Sequence, residues 1–77
     1  MKKTKLYFEV FMYRRIRQLR EDKDLSQEDM AEYLHCSQAT YSRYESGKLD
    51  IPTSVLISLA KLYETTTDYL LELTDEK

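Results

Sequence analysis

The 77-residue sequence predicts an all-α domain of five short helices. Three observations lead there. Glycine and proline occur once each, too rarely for an all-β chain full of tight turns. Apolar residues recur at three- and four-residue intervals along most of the chain. Serine or threonine stands just before three of those segments, where a hydroxyl can accept from a free first-turn amide.

The expected organisation is a basic and apolar N-terminal extension over 1–13, a helical domain over 14–73, and a frayed tail over 74–77. The extension leads into a first helix over about 7–22, where Phe8, Met12, Ile16 and Leu19 follow helical spacing. The run DKD at 22–24 interrupts that pattern. Ser26 is placed to cap the second helix, with Asp29 as the weaker carboxylate of a capping box, and the helix is expected to end near Leu34. Ser37 caps the third, which runs to about Glu45 and stops at Gly47, where the left-handed conformation needs no Cβ to be accommodated. Ile51-Pro52 opens the fourth, since proline is tolerated in a first turn, and Val55, Leu56, Leu59, Ala60 and Tyr63 give it a broad apolar stripe. The threonines at 65–67 cap a last helix containing Tyr69, Leu70 and Leu73. There is no internal repeat and no linker.

Bulk composition narrows the function. Net charge is −2, which alone argues against a nucleic-acid binder. Its distribution argues otherwise: residues 1–20 hold seven Lys or Arg and one acid, and residues 21–77 hold five bases and thirteen acids. The basic part includes Arg14, Arg15, Arg17 and Arg20. The bland reading of that asymmetry is a solvated helix face. No apolar run approaches the roughly 18 residues of a membrane span. The start MKKTKLYFEVFMYRR faintly resembles a leader, but it carries Glu9 and no small-residue cleavage site, and reads as mature protein. One cysteine cannot make an internal disulfide, so a cytoplasmic location is expected, and the length suggests one domain without a catalytic lobe.

Residues 27–46, QEDMAEYLHCSQATYSRYES, are the most informative stretch. They read as two helices joined by a three-residue break. Met30, Ala31 and Leu34 share one face of the first. Tyr41 and Tyr44 share one face of the second, with Gln38, Ser42 and Arg43 opposite. Alanine lets the two helices cross closely, apolar residues bury the crossing, and a polar face is left to enter a major groove.

Catalytic and metal readings are weaker. His35 and Cys36 are adjacent in a turn, where side chains point apart, and one Cys with one His falls short of a four-ligand zinc site. Cys36 is read as a small buried hydrophobe and His35 as occupying a turn position of positive φ. The acids between 21 and 32 read as solvated surface, and a single glycine cannot make a phosphate loop. The tyrosines at 41, 44, 63 and 69 have core spacing rather than that of a base-stacking surface. An enzyme is therefore not expected, and no cofactor is implied.

Taken in order, IRQLRE, LSQEDMAEYL, SQATYSRYESGK, an isolated Pro52, LISLAKLY and TTDYLL carry a resemblance. Over residues 14–71 the chain resembles the lambda-repressor-like and Cro-type helix-turn-helix regulators, including the xenobiotic-response-element group. The resemblance implies a five-helix lambda-repressor-like domain that binds double-stranded DNA. By position it implies base contacts from Ser37, Gln38, Ala39 and Arg43. The chemistry is suitable: glutamine pairs bidentately with adenine, arginine with guanine, and alanine meets a thymine methyl. It implies phosphate contacts from Gln27, Ser46 and Lys48, with Thr40 and Ser42 touching the backbone or nothing. Arg20 and Glu45 match a structural ion pair, and Met30, Ala31, Leu34, Cys36, Tyr41 and Tyr44 match buried positions.

Three departures stand out. His35 and Glu64 occupy positions where the family favours glycine, and Tyr41 one where it favours a β-branched aliphatic. Tyr41 has two readings: it tilts the recognition helix, or it reaches its hydroxyl to a phosphate. The apolar extension has three: a longer first helix, packing on the last helix, or a dimer surface. The expected protein is a small bacterial or phage transcription regulator, a repressor by preference, binding an approximately palindromic operator as a homodimer. The alternatives are an antitoxin-type regulator with a toxin partner, and a protein-interaction module of the same fold with weak or no DNA binding.

Overall fold

A computed structural model describes residues 13–76 and shows five helices among them: α1 (Arg14–Asp22), α2 (Gln27–Leu34), α3 (Gln38–Ser46), α4 (Thr53–Leu62) and α5 (Thr67–Leu70). No strand occurs among these residues, and no helix there is long and apolar enough to cross a membrane. The expected start of the first helix over residues 7–12, and the three readings of the extension, lie outside the described residues.

The helix starts follow the caps. Ser26 Oγ accepts from the Asp29 amide at 2.9 Å while Asp29 Oδ2 accepts from the Ser26 amide at 2.8 Å, so both halves of the capping box are made. Those bonds from Ser26 hold the Asp29 carboxyl below its ordinary pKa. Ser37 Oγ accepts from the Thr40 amide and Thr66 Oγ1 from the Tyr69 amide, each at 3.0 Å. Pro52 stands one position earlier than expected: its ψ of 150° makes it the extended residue before α4, not part of the first turn.

The helix ends share one device. After each helix a residue at positive φ lets the next amide reach back five residues to a helix carbonyl. The five residues are Asp24, His35, Gly47, Glu64 and Glu72, and only one is glycine. The last of these ends α5 at Leu70, so Leu73 falls outside the helix and is 73% exposed, contrary to expectation. The tail is not frayed throughout either. Arg15 Nη1 donates to the carbonyls of Tyr69 at 3.0 Å and Thr74 at 2.9 Å, with its guanidinium 4.2 Å from the centre of the Tyr69 ring. Tyr69 is thus half-buried against α1 rather than deep in the core.

One core unites the helices. Ile16, Met30, Tyr41, Leu59 and Leu70 are its most buried large side chains, one from each helix. Ala31 and Ala60 are buried as well, small residues where helices approach. Leu34 and Cys36 pack against this core only partly buried. Tyr41 and Tyr44 meet edge to face, with ring centres 6.5 Å apart. Burial pushes the Tyr63 hydroxyl up to about 12, and it points to Met30 Sδ at 3.7 Å.

Candidate nucleic-acid interface

The orientation of α3 is set from beneath by one buried carboxylate. Glu45 Oε2 accepts from Arg20 Nε at 2.5 Å and from the Tyr41 hydroxyl at 2.6 Å. Glu45 Oε1 accepts from Arg20 Nη2 at 3.2 Å and from Gln27 Nε2 at 3.1 Å. Arg20 Nη1 also donates to the Leu25 carbonyl at 2.7 Å, bracing the turn between α1 and α2. Three helices therefore meet at a single side chain that is only 4% exposed. Burial alone would raise the Glu45 pKa, but the hydrogen bonds from Arg20, Tyr41 and Gln27 outweigh it and hold the carboxyl below its ordinary value. The same bond to Glu45 raises the Arg20 pKa, and burial is the first cause of a raised Tyr41 pKa. The pair is ionised and the phenol neutral at physiological pH.

Tyr41 therefore does not reach a phosphate. It is fully buried, and its hydroxyl is donated to Glu45 one helical turn away. Where an aliphatic residue would only fill space, this tyrosine fills space and adds a bond to the ion pair. The expected ion pair of Arg20 and Glu45 is present, with two nitrogen–oxygen bonds.

The outer face of α3 is different. Gln38, Ala39 and Arg43 are exposed along it, and among the described residues no side chain bonds to Gln38 or to the Arg43 guanidinium. Ser37 is exposed too, but its hydroxyl is occupied: it accepts from the Thr40 amide and donates to Thr40 Oγ1 at 2.9 Å. The Ser37 hydroxyl is thus committed to the helix start, while Thr40 Oγ1 accepts from it and keeps its own proton unassigned. Ser46 Oγ donates to the Arg43 carbonyl at 3.2 Å, and Lys48 is exposed beyond Gly47. Gln27 is half-buried, with one amide proton on Glu45 and its second unassigned.

The structure gathers most of the expected phosphate set at one place. Gln27, Ser42, Ser46 and Lys48 line an open groove of about 480 Å³ beside α3, whose floor includes Glu45. Thr40 lies outside it. The opposite wall is formed by Arg14 and Arg17 of α1, which were not among the expected site residues. A signal for them exists: three-residue spacing puts both on one stripe of α1, followed by Glu21 four residues after Arg17. What the sequence does not give is the crossing of α1 and α3 that turns this stripe toward Lys48. Among the described residues no group of His, Cys, Asp and Glu side chains is arranged to hold a metal ion.

Comparison with known proteins agrees with this geometry. The family model HTH_3, described as helix-turn-helix, matches residues 16–70. The HTH-type transcriptional regulator YobD of Bacillus subtilis is 39% identical over 62 residues, covering 80% of this chain and 55% of YobD. The SPbeta prophage-derived regulator YonR of the same organism is 33% identical over 58 residues, covering 75% of this chain and 54% of YonR. The HTH-type regulator ImmR, also from B. subtilis, is 34% identical over 58 residues, covering 75% of this chain and 46% of ImmR. The chain spans about half the length of the curated relatives it matches. No solved structure matches the chain significantly. The capped α2–α3 unit, the anchored orientation of α3 and the match across most of the sequence together place the chain in the Cro/lambda-type helix-turn-helix family.

Proposed function

We propose that this chain binds double-stranded DNA sequence-specifically and acts as a transcription regulator, with repression by occlusion as its output. The observation that carries this is the division of α3: an inner face fixed by Glu45 and an outer face where Gln38, Ala39 and Arg43 are exposed and uncommitted. A rigid helix with free amide and guanidinium groups on its outer side suits the major groove. Gln38 is assigned to adenine, Arg43 to guanine and Ala39 to a thymine methyl. Gln27, Ser46 and Lys48 are assigned to phosphates, with Ser42 beside them. Ser37 contributes through the helix start that it caps, and Thr40 through its free hydroxyl proton toward the backbone. Two copies on an approximately palindromic site would set their recognition helices about 34–36 Å apart.

Selection of bound duplexes from a random pool tests this reading. The expected result is an enriched motif of two half-sites separated by about one helical turn, with affinity that falls steeply as salt rises. Uniformly weak binding with little salt dependence would reject it in favour of a protein-interaction module, the reading to which the net charge of −2 lends support.

A further inference from the structure

We propose that the groove between α1 and α3 is a phosphodiester seat in which Arg14 and Arg17 close on a DNA backbone from the side opposite Lys48. This rests on the DNA-binding reading and adds to it a wall of contacts from the first helix. Three observations converge. The groove is lined by the three residues assigned to phosphate on grounds independent of its shape, Gln27, Ser46 and Lys48, with Ser42 beside them. Its other wall supplies two guanidinium groups, which match phosphate oxygens through paired N–H donors. The carboxylate on its floor, Glu45, is already matched by Arg20 and does not oppose an anion with a free charge.

Both arginines are held in readiness rather than consumed. Arg14 pairs with Glu72 at 3.2 Å and Arg17 with Glu21 at 3.1 Å, but the arginine side chains are 55% and 64% exposed. Ion pairs so exposed are weak and screened by salt, so a polyanion with several adjacent charges displaces them readily. The acids keep the groove from binding single small anions tightly, and an extended backbone offers the multiple charges that overcome them. The class of ligand is therefore a nucleic-acid backbone rather than a free phosphate. These contacts lie beside the bases read by α3 and carry no sequence information of their own.

The test is a salt titration of duplex binding by the full chain and by the double variant Arg14→Ala/Arg17→Ala, with Lys61→Ala on α4 as a charge control outside the groove. Each lost phosphate contact lowers the slope of log K against log salt by about 0.9. The double variant should therefore lose nearly two from its slope, bind every duplex on the order of tenfold more weakly at moderate salt, and keep its base preference. Lys61→Ala should leave the slope unchanged. An unchanged slope in the double variant, or an equal change in Lys61→Ala, overturns the seat while DNA binding stands. Failure of the unsubstituted chain to bind any duplex overturns the reading beneath it. Circular dichroism confirms folding, since both arginines are exposed surface residues whose removal leaves the core intact.

Discussion

On the inner face of α3, Tyr41, Tyr44 and Glu45 are buried, and Glu45 alone accepts four hydrogen bonds from Arg20, Tyr41 and Gln27. On the outer face, Gln38, Ala39 and Arg43 are exposed. Both faces belong to one nine-residue helix. The difference separates two duties that a recognition helix must perform together. The inner face fixes where the helix points, and under the proposed function the outer face supplies the groups that meet base edges. Substitutions on one side should therefore leave the other duty intact until the helix itself is released.

The strongest way to break this separation is Glu45→Gln. It leaves the Arg20 guanidinium buried without its counter-charge, and should cost about 3–5 kcal/mol of folding stability. Denaturant unfolding measures it, and a loss under 1 kcal/mol would mean that the ion pair does not fix α3. The pH dependence has a definite sign. Glu45 has a depressed pKa in the folded state, so its contribution is complete above the unfolded value of about 4.3 and is lost as pH falls through the lower folded value. The unsubstituted protein should lose stability on acidification below about pH 4, and Glu45→Gln should show a shallower loss there.

Arg43→Ala probes the opposite face. It should weaken binding to the preferred duplex by about 1–3 kcal/mol and relax base preference at one position. Its folding stability should change by no more than about 0.5 kcal/mol, because Arg43 is exposed. Equal loss on all duplexes would make Arg43 a phosphate contact. Tyr41→Phe is the finer probe. It keeps the ring and removes one bond to a carboxylate still held by Arg20, at a cost of about 1–2 kcal/mol in stability. A variant as stable as the unsubstituted protein would show the hydroxyl to be a passenger.

Much of this architecture was legible in the sequence, for identifiable reasons. Ser26, Ser37 and the threonines before α5 mark helix starts because hydroxyl caps are local interactions. Gly47 and the resemblance at His35 and Glu64 pointed to left-handed positions, and all three adopt them. Glu72 gives no such signal, since glutamate is an unfavourable residue there, and the apolar spacing through Leu73 therefore predicts a longer α5 than the structure has. The ion pair came from family resemblance rather than from spacing. The Tyr41–Glu45 bond had a signal, four-residue spacing on one helix, but only burial gives that spacing its partner. The second wall of the groove was illegible because it depends on how α1 crosses α3, a relation between elements remote in sequence.

The helix ends carry a consequence of their own. Four of the five residues that reverse the chain there bear side chains, in a backbone region that a Cβ disfavours by roughly 1–2 kcal/mol. Asp and His tolerate that region better than glutamate, and glycine adds freedom to the unfolded chain, so the net gain is largest at Glu64 and Glu72. Asp24, Glu64 and Glu72 are thus a dormant reserve for engineering: glycine at these corners would relieve strain without redrawing the path of the chain, and they lie outside α3, whereas His35 stands two residues before Ser37.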